Sequence, residues 1–182
     1  LIARDMDILT ELNKLDLVHV NISFTSLIED LRRKMEPRTS SVKSKLALIK
    51  NLADNNIPVG VMMAPIIPSL NSHEIFEMTK TVADAGAQSI NYTIVRLNGA
   101  IGELFDDWVQ RNFPDRAGKV LKQIKHMHGG KLNDSRFGDR MRGEGNFAQQ
   151  VKDQFAVAKR KFLADREKKP FNLEAFLPRK KD

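Results

Sequence analysis

The sequence predicts an α/β fold with about three parallel strands, because helix-periodic segments alternate with short β-branched runs and the connections are long enough to be helical. A third feature bounds the sheet: after Leu97 the strand patterns stop and the remainder reads as helices around one glycine-rich stretch. Whether three such strands form a small open sheet or a segment of a barrel is not decided by periodicity. The organisation divides into βα repeats over 1–98 and a helical, basic extension over 99–182.

Residues 3–14 place Met6, Leu9 and Leu12 at helical spacing with charges between them, an amphipathic helix. The β-branched run that follows predicts a buried parallel strand at 17–24. SLIEDLRRKM is a short helix that stops at Glu36-Pro37, since proline disfavours helical geometry in the residue before it. Ser40 or Ser41 caps the next helix, whose stripe is Val42, Leu46, Ile49 and Leu52, and Asn55-Asn56 ends it. The second buried strand spans 57–65, with Gly60 permitting a close approach by backbone or ligand. Asn71 or Ser72 caps the helix HEIFEMTKTVADAGA, with Gly86 as its stop. The third strand lies at about 89–97. Three helices complete the chain, and the last residues read as frayed apart from Phe171 and Phe176 as docking points.

A chain of 182 residues, 41% hydrophobic, suffices for one core. No apolar run approaches the roughly 20 residues needed to span a bilayer, which predicts a soluble protein and no membrane partner. The absence of cysteine excludes disulfides, thiolate metal sites and cysteine nucleophiles, and fits a cytoplasmic location. The net charge of +7 is uneven: residues 1–98 carry 11 basic and 11 acidic side chains, residues 99–182 carry 19 and 12. That excess points to DNA or another polyanion, or to a solvated basic surface.

Ligands in parallel α/β proteins bind outside the carboxyl ends of the strands. There Ser23 and Thr25 offer hydroxyls for a sugar or carboxylate, or Thr25 or Ser26 caps the next helix. Ala64, Pro65, Ile66 and Ile67 form a stiff apolar exit suited to a flat aromatic ring such as adenine, or merely a rigid loop. Arg96 closes the third strand, where a guanidinium holds a carboxylate or phosphate, or an internal ion pair. Glu36 and Arg38 in the EPRT segment reach toward a substrate or cap the following helix. Arg136, Arg140 and Arg142 lie among glycines in a segment that fits neither the phosphate-binding loop nor the dinucleotide fingerprint, leaving an anion-closing loop or an irregular connection. His126 and His128 lack a third ligand of suitable spacing, so no metal is expected. His19 reads as a satisfied core residue and His73 as surface.

The strings LIARDMDILTEL, VHVNISFTSLIEDLRRKMEPRTSS, IPVGVMMAPIIPSLNSHEI and GGKLNDSRFGDRMRGEGNFAQQV together resemble the later part of a radical S-adenosylmethionine protein. The subgroup is the one related to spore photoproduct lyase, often labelled DNA repair photolyase. The resemblance runs almost the length of the chain and implies the carboxyl-terminal portion of a partial TIM-like barrel of six βα units. It also implies a parent enzyme in which a Cys-x-x-x-Cys-x-x-Cys loop holds a 4Fe-4S cluster. S-adenosylmethionine binds that cluster and is reductively cleaved to a 5'-deoxyadenosyl radical. Here the cysteine loop and the first four strands are missing, so the chain alone is expected to be inactive and to bind no cofactor. By resemblance, Ser23 and Thr25 lie near the ribose or methionine of the cofactor, and Met62, Ala64, Pro65 and Ile67 touch adenine. Glu36, Arg38, Arg96, Arg136 and Arg140 face a substrate, DNA or another anion. An alternative is a non-catalytic nucleic-acid-binding module built on the basic half. A barrel cut before strand five leaves a free sheet edge, which invites a dimer.

Overall fold

Three parallel strands, β1 (Val20–Phe24), β2 (Val59–Ile66) and β3 (Ser89–Ile94), pair in the order β1-β2-β3. The structure, a computed structural model, describes residues 2–132, 143–166 and 169–176. A 3₁₀ turn (Ile2–Asp5) leads into α1 (Met6–Lys14), and the connection from β1 to β2 carries α2 (Glu29–Met35) and α3 (Val42–Asp54). A second 3₁₀ turn (Ser72–Glu74) and α4 (Ile75–Asp84) lead to β3; α5 (Ile101–Asn112), α6 (Pro114–Met127) and α7 (Gly145–Phe162) follow. The α/β class and the sequence's strand count agree with this architecture.

Side chains of adjacent parallel strands that share a register position point to the same face. On one face Ile22, Val61 and Ile90 form a rung, and Phe24, Met63 and Tyr92 the next. Helices cover this side: Ile49 and Leu52 of α3, Met78 and Val82 of α4, and Phe155 of α7 are all fully or almost fully buried. Phe155 stacks on Tyr92 with ring centroids 4.3 Å apart. The extension contributes to the same core, with Val109 of α5 and Val120 and Ile124 of α6 buried in one cluster with the strands.

The first strand departs from the sequence reading. It begins at Val20, not at residue 17, and its burial alternates, with Asn21 and Ser23 exposed between buried Val20, Ile22 and Phe24. Only its apolar face is covered. The third strand is shorter than expected, ending at Ile94, although the N–H of Val95 still donates to the Ile66 carbonyl.

Helix ends follow their local chemistry where it is simple. Ser41 Oγ accepts the N–H of Ser44 at the start of α3, as the sequence predicts. Asn71 makes no cap for the helix after β2, because its amide is engaged elsewhere. Phe171 docks by stacking on His19 at 4.2 Å, and the Asn172 N–H donates to the Asp16 carbonyl. Phe176 stays largely exposed and does not dock.

Among the described residues, no helix is long and apolar enough to cross a membrane. Gly86, at φ +105°, turns the chain out of α4, and a Cβ there would sit 2.4 Å from the Cβ of Ala53 on α3. Substitution Gly86→Ala therefore adds left-handed strain and a clash, and is expected to lower stability by about 1–3 kcal/mol in urea unfolding. An unchanged midpoint would show that α3 and α4 do not meet there.

Candidate ligand face of the sheet

The second face of the sheet is polar. Asn21, Gly60 and Ser89 form one rung, and Ser23, Met62 and Asn91 form the next. Asn21 and Ser23 are exposed, while Met62, Ser89 and Asn91 are half-buried. Gly60 sits in the middle of the first rung because two polar side chains lean over it: a Cβ would lie 2.7 Å from Asn21 Oδ1 and 2.8 Å from Ser89 Oγ. The close approach that Gly60 permits is thus made by its strand neighbours. The hollow beside this rung, of about 160 Å³, also takes in His19 and Gln88. From α7, Lys159 Nζ donates to Asn91 Oδ1 at 3.3 Å, bringing a cation to the second rung.

At the carboxyl ends of β1 and β2, two buried side chains fix the loops. Asn71 Nδ2 donates to the carbonyls of Thr25 and Pro65, both at 2.8 Å, and Asn71 Oδ1 accepts the Ile67 N–H at 2.7 Å. The Glu74 carboxylate accepts the Leu27 N–H at 2.6 Å and the Ser26 hydroxyl at 2.7 Å. Ser26 Oγ in turn accepts the Ile28 N–H at 2.9 Å. Neither Thr25 nor Ser26 caps α2. The Ala64-Pro65 peptide is cis.

The sequence-selected residues are dispersed by this geometry. Ser23 lies open on the polar face, whereas Thr25 is fully buried with no hydrogen-bond partner for Oγ1 among the described residues. Met62, Ala64 and Pro65 are half-buried, the first two on the same side as Gly60 by strand alternation, while Ile67 is fully buried in the core. Arg96 is half-buried just past β3. Arg136 and Arg140 lie outside the described residues.

The EPRT loop is held from beneath by Arg32, whose Nη1 donates to the carbonyls of Glu36 and Thr39, both at 2.9 Å. The other side of the same guanidinium pairs with Glu29 at 2.7 Å. Glu36 faces the buried Lys45 amine at 3.5 Å, and Arg38 projects into solvent. The arginine that organises this loop is thus Arg32, not Arg38. His128 is buried, with Nε2 3.0 Å from the Val95 carbonyl, and His126 is exposed. No group of three or more His, Asp or Glu is placed to hold a metal among the described residues.

Asn21, Ser89, Asn91 and Lys159 are absent from the sequence-based set. The signal for the first three was the period of two: Val-Asn-Ile-Ser-Phe and Ser-Ile-Asn alternate polar with apolar. Lys159 could not be found that way, because its meeting with Asn91 spans 68 positions.

No family model matches the chain. It is 26% identical over 117 residues to an uncharacterized protein of Mycobacterium tuberculosis, an overlap of 63% of this chain and 34% of that protein. The same figures hold for an uncharacterized protein of Mycobacterium bovis. An uncharacterized protein of Acidianus two-tailed virus is 28% identical over 135 residues, 68% of this chain and 44% of the viral protein. The chain spans less than half the length of these curated relatives.

Replacing Asn71 by Ala removes its hydrogen bonds to the Ile67 N–H and to the Thr25 and Pro65 carbonyls, and is expected to cost about 3 kcal/mol by chemical denaturation. A loss within the error of the midpoint would mean that the loops are held by other contacts. The Arg32 hydrogen bond, helped by the Val42 N–H, holds the Glu29 carboxyl below the usual carboxylate range. A depressed folded pKa gives stability that is present above the unfolded value and is lost as pH falls through the folded one. Glu29→Gln should therefore flatten the acid limb of the stability profile, and an unaltered limb would assign it to other carboxylates.

Proposed function

We propose that this chain supplies the carboxyl-terminal βα repeats of an incomplete barrel of the radical S-adenosylmethionine type, and that its polar sheet face is part of the inner wall lining the cofactor. The observation that carries this reading is the pair of polar rungs, Asn21-Gly60-Ser89 and Ser23-Met62-Asn91. Parallel sheets are ordinarily covered on both faces, and their strands read as continuous apolar runs. A parallel sheet with helices on one side and hydrogen-bonding groups on the other is the pattern expected of a wall that encloses a polar ligand. The resemblance of the four sequence strings to that family supports the same conclusion, and the length of the relatives leaves room for the remaining strands.

The residues present suit the chemical parts of S-adenosylmethionine. Met62 and Ala64 are half-buried apolar residues of the central strand, chemically suited to an adenine face. Ser23 beside Met62 offers a hydroxyl to a ribose, and Asn91 on the other side offers an amide. The buried, unpartnered Thr25 hydroxyl lies one step beyond Phe24 at the strand exit. When bound, the group supplies a carbon-centred radical for hydrogen abstraction. The protein's part on this wall is to orient the adenosine by stacking and hydrogen bonds and to exclude water. No thiolate for an iron-sulfur cluster lies in this chain.

A second reading, a non-catalytic nucleic-acid-binding module, is favoured by the basic excess of residues 99–182. The two readings use different surfaces.

Titration of S-adenosylmethionine followed by amide NMR tests the first. Because the cluster and the rest of the pocket lie outside this chain, no tight complex is expected. At high ligand concentration the signals of Ser23, Met62 and Ala64 are expected to shift together and weakly, while those on the solvent side of α7, such as Gln149, stay fixed. Met62→Glu, placing a charge against the adenine strip, is expected to abolish the shifts without unfolding the chain. Shifts confined to the helices, or unaltered in the variant, would overturn the assignment.

A further inference from the structure

We infer that the exposed lysine face of α6 is a docking surface for the phosphate backbone of nucleic acid. This rests on the second reading above and is independent of the sheet face.

The helix is amphipathic in an unusual sense. Its inner side buries Ala117, Val120, Ile124 and Met127. Its outer side carries Lys119, Lys122 and Lys125, all exposed, and none has a carboxylate partner among the described residues. Two exposed lysines on other helices are neutralised within a helical turn, Lys50 by Asp54 at 3.0 Å and Lys80 by Asp84 at 2.6 Å, whereas α6 gathers three without such a partner on one face. On α6 the only acid is Asp115, in the first turn and about 10 Å along the axis from Lys122. Unpaired cations on a rigid helix repel one another, which is a cost that an anionic partner relieves.

The shape suits an extended ligand. Gly118, Lys122, Lys125 and Gly129 recur at spacings of four, three and four, so they share one side of the helix and its exit. With His126 they border an open hollow of about 680 Å³. Gly118 has open space where a side chain would be, so a backbone can lie against the helix there between the lysines. A neighbouring hollow of about 410 Å³ takes in Lys122, His126 and Gln123 on one side and Glu144 on the other. Glu144 brings a carboxylate to the far wall of that hollow and so bounds the cationic strip.

The choice of partner follows from the contacts available. Lysines at regular intervals attract a row of phosphates and read no base, and the amide between them, Gln123, is already engaged through its oxygen by the Ser69 hydroxyl at 2.7 Å. Binding should therefore be independent of sequence and governed by release of counterions.

The test is fluorescence anisotropy of the full chain with a short labelled DNA duplex over a salt series. Two double variants carry the same change in net charge: Lys122→Glu with Lys125→Glu on α6, and Lys50→Glu with Lys80→Glu on α3 and α4. The α6 variant is expected to lose affinity at least about tenfold at low salt, and its slope of log affinity against log salt should shrink by about 2. The α3/α4 variant should keep most of the slope. Equal losses in both would reduce the effect to bulk charge and overturn the proposal. So would the absence of duplex binding by the parent chain at low salt, or equally tight lysine-dependent binding to anionic lipid vesicles or polyglutamate. The milder pair Lys122→Gln with Lys125→Gln, expected to shrink the slope in the same direction, replaces the reversal if circular dichroism shows it unfolded.

Discussion

Three hydrogen bonds of one amide, Asn71, hold the part of the molecule on which everything else is arranged. By joining the Thr25 and Pro65 carbonyls and taking the Ile67 N–H, the side chain ties the exits of two neighbouring strands to each other. All of these groups are buried or half-buried. A carboxamide is the side chain that suits the position, since it presents two donors and an acceptor at once. Glu74, three residues later, repeats the device on the same β1 exit by accepting from Leu27 and Ser26. The two braces leave the strand ends in fixed relation, so the polar rungs behind them keep their spacing without a covering layer.

The sheet divides its two faces by the alternation of strand side chains, and the sequence writes the division openly. What the sequence does not write is which face is covered. The stretches Val59–Met63 and Leu15–Phe24 look apolar enough to be covered on both sides. In β2 that impression is correct for Val59, Val61 and Met63, but Gly60 has no side chain to place on the other face, and Met62 is only half-buried. In β1 the small polar residues Asn21 and Ser23 stand exposed. Reading five residues as one apolar block hides a period of two, which is why Ser23 was legible as a candidate and its neighbours Asn21, Ser89 and Asn91 were not.

Helices were the more legible elements. The stripe of α3 and its Ser41 cap depend on residues within one or two turns, and the structure places both where the sequence does. Contacts between distant segments were not legible. Nothing local says that Asn71 reaches back 46 residues to Thr25, or that Arg32 rather than Arg38 organises the EPRT loop. In both cases a polar residue in a striking string has a partner that only the folded chain supplies, and the string reflects that partner as much as any ligand. The docking of Phe171 on His19 was half legible: an aromatic in a basic tail needs a surface, but which surface is a tertiary fact.

The two proposed surfaces obey different physics, and this separates them. The sheet face carries amides, hydroxyls and a thioether, with Lys159 at its margin, so attraction there depends on hydrogen-bond geometry and on fit against Met62. Such contacts are short-ranged and little affected by salt. The α6 face carries cations with no carboxylate partner among the described residues, so attraction there is long-ranged, tolerant of position and weakened as ions screen it over about 8–10 Å. A ligand bound by the first can be displaced only by another that fits; one bound by the second can be displaced by salt alone. The two proposals are therefore compatible, because neither surface draws on the forces that serve the other.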